Sequence, residues 1–103
     1  MKVQSIYFAT LITISIAHPE FEAAAKYVSS SEVIPLTDKK KLKVYALYKQ
    51  ATLGDCGEFT GRSTDRVAVI KHASWCAEKG MNVEDARFQY VAKVSEFAPS
   101  WRS

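Results

Sequence analysis

The sequence predicts an all-α domain arranged as a compact four-helix bundle, and three observations lead there. From residue 19 onward, apolar residues recur at helical spacing in four separate stretches. Serine, proline, glycine and asparagine bound those stretches at the positions where helices start and stop. No alternating strand pattern, internal repeat or low-complexity tract interrupts them.

The first helix is expected to open at Pro19, since a first-turn proline loses only a donor that has no partner there. Glu20 and Glu22 favour the positive end of its macrodipole, and Phe21, Ala24, Ala25 and Val28 form its stripe. Ser29, Ser30 and Ser31, followed by Pro35, end it. A second helix is capped by Thr37 or Asp38 and runs to about Thr52, with Gly54 as its stop. Leu42, Tyr45, Tyr48 and Lys49 share one of its faces. The stretch from Asp55 to Thr64 holds Gly57 and Gly61 without a helical period and reads as a loop. A third helix starts near Ser63 or Thr64 and ends at Lys79, before Gly80. Asn82 and Asp85 resemble a capping box for a fourth helix. That helix carries Ala86, Tyr90, Val94 and Phe97 on one stripe and stops before Pro99.

Ahead of the helices lies a hydrophobic leader, residues 1–17, which sets off a domain at residues 18–103. Lys2 is its last charge before Glu20, and its most apolar part runs from Ile6 to Ala17. That is short against the roughly 20 residues a membrane-spanning helix needs. It matches a secretory signal peptide: a basic start, an apolar region, then small residues at Ser15 and Ala17. Cleavage after Ala17 leaves His18 first.

The whole chain of 103 residues suits one domain with a modest core. Its net charge of +3 suits an anionic ligand but lacks the clustered basic face of a nucleic-acid binder. The lysine run Lys39, Lys40, Lys41 and Lys43 reads as a solvated face, with at most transient contact with an acidic membrane surface. Cys56 and Cys76 can make at most one bridge; their spacing fits no zinc or Cys-x-x-Cys pattern, so they are expected as free thiols. His72 and Cys76 lie four residues apart and could face each other on one helical turn. A catalytic pair or metal site there lacks further ligands and an orienting group, so neither catalysis, metal nor cofactor is expected.

The run Tyr45-Ala46-Leu47-Tyr48-Lys49-Gln50-Ala51-Thr52-Leu53-Gly54-Asp55 strongly resembles the motif of the acyl-CoA-binding protein family, the diazepam-binding-inhibitor-like proteins. The stretch from Phe21 to Val28, Lys71 and Trp75, and the stretch from Lys79 to Val94 extend the resemblance over roughly Phe21 to Phe97. It implies an up-down-down-up bundle that binds medium- and long-chain fatty acyl-CoA as a monomeric, non-catalytic carrier or buffer in lipid metabolism. It also implies a head-group site of Tyr45, Tyr48, Lys49, Lys71 and Tyr90, with Ala46 and Leu47 in the same stretch. Phe21 and Ala25 would line the acyl groove. Cytoplasmic residence follows from the resemblance, and secretory or ER residence follows if the leader acts as a signal.

The chemistry suits those residues. Two lysines on different helices can converge on the phosphates of coenzyme A, at about 1.5–3 kcal/mol for each charge-assisted hydrogen bond. Tyrosine supplies a ring for adenine or a hydroxyl for phosphate. The chain departs from the family pattern at Ser29, where many members carry a lysine or arginine, and at His72, which replaces a second tryptophan. Its 56–66 loop lacks the usual Pro-Gly and Gly-Lys elements, leaving Arg62 or Arg66 as compensating charges. The rival expectation is a secreted helical interaction module that kept the fold with weakened or lost acyl-CoA binding.

Overall fold

The computed structural model describes residues 18–30 and 38–102. The leader, the 31–37 linker and the Thr37 cap lie outside the described residues. Among the described residues four α-helices follow in order: α1 (Pro19–Ser30), α2 (Asp38–Leu53), α3 (Arg66–Cys76) and α4 (Val83–Phe97). No strand occurs among the described residues, in agreement with the all-α expectation.

Local chemistry accounts for most helix ends. His18 caps α1, its Nδ1 accepting the Phe21 backbone N–H at 3.1 Å, a role the sequence did not announce. Gly54 ends α2 at φ +80, a left-handed conformation that costs glycine little. Asn82 caps α4 by accepting the Asp85 N–H at 2.7 Å.

The third helix is shorter at both ends than its periodicity implies. Its cap is Asp65, which accepts the Ala68 N–H at 3.0 Å, rather than Ser63 or Thr64. At its other end Glu78 and Lys79 bond back three residues, to Trp75 and Cys76, so the chain tightens into turns before Gly80 at φ +97.

The core joins three helices. Phe21 and Ala24 of α1, Val44, Leu47 and Ala51 of α2, and Ala86, Tyr90, Val91 and Val94 of α4 form one buried cluster. Helix α4 packs on α1 and α2, while α3 packs on α2. No residue of α3 is buried. That helix therefore owes its place to discrete links more than to core burial. The Trp75 indole donates to the Gly54 carbonyl at 2.8 Å, and a disulfide joins Cys56 to Cys76 with a Cα–Cα distance of 5.2 Å. The expectation of free thiols is corrected here: packing α3 on α2 brings together two sulfurs that sequence spacing left unrelated.

The second half of the Tyr45–Asp55 motif builds the fold. Gln50, fully buried, donates from Nε2 to the Asp55 carboxylate and to the Met81 carbonyl, both at 2.7 Å. The same Asp55 oxygen accepts the Gly80 N–H at 2.9 Å. These bonds hold the end of α2 against the turn before α4, and the backbone bond from Gly80, then that from Gln50, lowers the Asp55 pKa. The folded state thus favours the carboxylate, a contribution present above the ordinary pKa and lost as pH falls through the lowered value. Asp55→Asn should remove part of the acid sensitivity of unfolding below about pH 4. Acid titration followed by circular dichroism, with an unchanged curve in the variant, would discount the Asp55 network.

Lys43 leaves the lysine run to pair with Glu78 at 2.5 Å, and Lys40 lies 5.0 Å from the Phe97 ring centroid. The run is therefore not one uniformly solvated face.

Candidate functional site

Two cavities meet at Tyr45. One, of about 630 Å³, lies among α1, α2 and α4 and is lined by Ala25, Val28, Val44, Tyr45, Tyr48 and Tyr90, with Lys26, Ser29 and Lys41. Its lining is largely apolar and aromatic. The other, of about 360 Å³, lies between α2, α3 and the loop before α3; Tyr45, Lys49, Lys71, His72 and Trp75 line it with residues 57–61.

Helical spacing explains the junction. Tyr45 and Lys49 stand one turn apart on α2, and the Lys49 ammonium lies 5.9 Å from the Tyr45 ring centroid and 5.1 Å from that of Trp75. From α3, the Lys71 ammonium lies 4.7 Å from the same Tyr45 ring. Two cations from different helices thus converge on one half-buried phenol. Cation–π attraction of about 0.5–1 kcal/mol at exposed sites offsets part of their mutual repulsion. An anion placed between them would relieve the remainder and gain charge-assisted hydrogen bonds.

The tyrosines behind Tyr45 are ordered by the core. Phe21 stacks on Tyr48 with centroids 5.9 Å apart, and meets Tyr90 edge-on at 5.1 Å. Tyr90 is only 2% exposed; burial, followed by repulsion from Tyr48, pushes its pKa up to about 12. The folded state holds it neutral, so this contribution to stability persists below about pH 10 and is lost as pH rises towards 12. Tyr90→Phe should flatten that alkaline limb in urea titrations at pH 9 to 12; an identical limb in both proteins would place its origin elsewhere.

The residues singled out from the sequence divide into contact and support positions. Tyr45, Tyr48, Lys49, Lys71, Tyr90 and Ala25 all reach one cavity or the other. Phe21 is 6% exposed, and Ala46 and Leu47 are 1% and 0% exposed, so these three sit behind the surface and brace it. Arg62 and Arg66 line neither cavity. Where Ser29 replaces a basic residue, Lys26 and Lys41 line the same groove. Sequence reading missed Lys26, because a lone exposed lysine carries no local signal, and took Lys41 only as part of a solvated lysine run.

His72 donates from Nε2 to the Gly57 carbonyl at 2.8 Å and packs on Phe59 with centroids 5.3 Å apart. Its ring nitrogens approach the Cys76 sulfur to 3.7 Å, and a ring nitrogen and the Cys56 and Cys76 sulfurs all lie within 4.8 Å of one another. Both sulfurs are bonded to each other, so the turn offers no thiolate as nucleophile or metal ligand.

Residues 18–94 match the family model described as Acyl CoA binding protein. The chain belongs to the acyl-CoA-binding protein family. Among its relatives, Diazepam-binding inhibitor-like 5 of Mus musculus is 43% identical over 77 residues, which cover 75% of this chain and 87% of the mouse protein. The acyl-CoA-binding protein of Dictyostelium discoideum is 37% identical over 81 residues, covering 79% of this chain and 95% of that one. The solution structure of the acyl CoA binding protein from Babesia bovis T2Bo superposes with a TM-score of 0.71 at 38% identity, covering 82% and 96% of the two chains. The fold is thus the four-helix bundle of this family, and binding of acyl-CoA as a ligand is the family's general property.

Proposed function

We propose that this protein is a non-catalytic, monomeric carrier of medium- and long-chain fatty acyl-CoA. The observation that carries the reading is the convergence of Lys49 and Lys71 on Tyr45, where a basic cavity and an aromatic groove meet. The two lysines take the phosphates of the nucleotide. Tyr48 and Tyr90 offer aromatic walls to adenine within the groove, so that Ala25, expected to line the acyl groove, lies instead beneath the nucleotide. For the acyl chain, Val67 and Ile70 of α3 stand 67% and 48% exposed at four residues and one residue before Lys71, an apolar surface that gains by being covered.

Calorimetric titration with palmitoyl-CoA, beside free CoA and palmitate, tests the reading. One-to-one binding of the thioester, tighter than either fragment, is expected. Affinity should rise with chain length, since each buried methylene contributes up to ~0.8 kcal/mol. No binding by the folded protein would leave the interaction-module alternative in front.

The Cys56–Cys76 bridge supports an oxidising compartment, in keeping with the signal-like leader. Recovery of the protein from culture medium with His18 first would establish export; retention with Met1 intact would end it. Lys39 to Lys41 at the start of α2 provide brief contact with acidic membranes. Vesicle association unchanged in a charge-neutral Lys39–Lys41 variant would remove that element.

A further inference from the structure

We infer that the Cys56–Cys76 disulfide is a positioning device for ligand affinity, setting where Lys71 stands over the head-group cavity; this rests on the acyl-CoA reading above. Three observations meet here. First, α3 packs on α2 with no buried residue of its own, so core burial does not lock its place. Second, the bridge ties the last residue of α3 to residue 56, directly ahead of the loop residues 57–61 that form one wall of the cavity. Third, that wall is otherwise joined to α3 through His72, by one hydrogen bond to Gly57 and a ring contact with Phe59.

The bridge thus closes a ring of chain containing the loop and all of α3, and Lys71 lies inside it. The Trp75 bond to Gly54 anchors the same end of the helix. Removing the bridge loosens α3 and its loop, which keep the Trp75 bond to Gly54 and the nearby Lys43–Glu78 pair, while α1, α2 and α4 keep their shared core. The phosphate site then loses its second cation part of the time, and affinity falls by the population lost. The groove lined by Tyr48 and Tyr90 involves neither α3 nor the loop, so its contribution persists.

A double-mutant cycle on the full chain tests this, with palmitoyl-CoA as the probe. In the bridged protein, Lys71→Ala should raise Kd about 10-fold, equivalent to about 1.4 kcal/mol. Loss of the bridge in Cys56→Ser/Cys76→Ser should raise Kd by about the same factor. In that background, Lys71→Ala should cost less than about 2-fold, whereas Tyr48→Ala should cost the same in both backgrounds. Full sensitivity to Lys71→Ala without the bridge would overturn the inference, as would an unchanged Kd.

Reduction of the wild-type chain by a dithiol provides a second measurement that does not depend on the variant folding. Two thiol–disulfide exchanges deliver two electrons and two protons to the sulfur pair and leave the reagent as its own disulfide. Amide hydrogen exchange in the ligand-free protein should then accelerate more across residues 57–76 than in the core of α1, α2 and α4, which follows only the loss of global stability. Acceleration across residues 57–76 no greater than in α1, α2 and α4, or none anywhere, would overturn the local role. A bridged wild-type chain that binds no palmitoyl-CoA would instead refute the carrier reading, which separates the two failures.

Discussion

Replacing Lys49 with alanine is expected to weaken palmitoyl-CoA binding by about 10- to 100-fold while leaving thermal stability within about 0.5 kcal/mol. The ammonium lies over the Tyr45 and Trp75 rings and lines the cavity between α2 and α3, beside the Tyr45 ring that both cavities share. It makes no ion pair among the described residues, so its removal leaves no buried charge unpaired. Lys49→Arg should recover most of the loss, because a guanidinium keeps the charge and adds donors. Tyr45→Ala should lose affinity comparably, since it removes the ring that both lysines face. Calorimetry on the three variants decides the matter: a Lys49→Ala protein with wild-type Kd would remove the phosphate role from the junction.

Loss of the Cys56–Cys76 bridge is expected to destabilise the domain by about 3 kcal/mol. The two cysteines are 20 residues apart, and closing a loop of that size lowers denatured-chain entropy by about that amount in the chain-entropy account. In a domain this small, such a change lowers Tm by more than about 10 °C. The denaturant slope m should rise as well, because a chain without the cross-link exposes more surface when unfolded. Chemical denaturation of the Cys56→Ser/Cys76→Ser variant, beside the oxidised and dithiol-reduced wild type, measures both. Equal midpoints would show that the bridge adds nothing to global stability, leaving its positioning role to be judged on affinity alone.

The motif from Tyr45 to Asp55 illustrates how much of the site was legible. Its register placed Tyr45, Tyr48 and Lys49 correctly on one helix, and the structure brings each to a cavity. Yet the sequence does not say which motif residues meet ligand and which build the fold. Gln50 and Asp55 spend their hydrogen bonds on the turn before α4, and Ala46, Leu47 and Ala51 are buried. Phe21 shows the same limit. Its helical position was clear, but stacking on Tyr48 and edge-on contact with Tyr90 draw it into the core and away from the cavity linings.

The sequence by itself determined the helical class, the order of the elements among the described residues, the stop at Gly54 and the cap at Asn82. These follow from interactions spanning three or four residues, so a window of that length contains the information. Only the tertiary structure decided that Cys56 meets Cys76, that Lys43 meets Glu78 across 35 residues, and that Lys71 joins Lys49 at one phenol. Those pairings depend on how whole helices pack, and packing is settled by the shape of buried surfaces rather than by spacing along the chain.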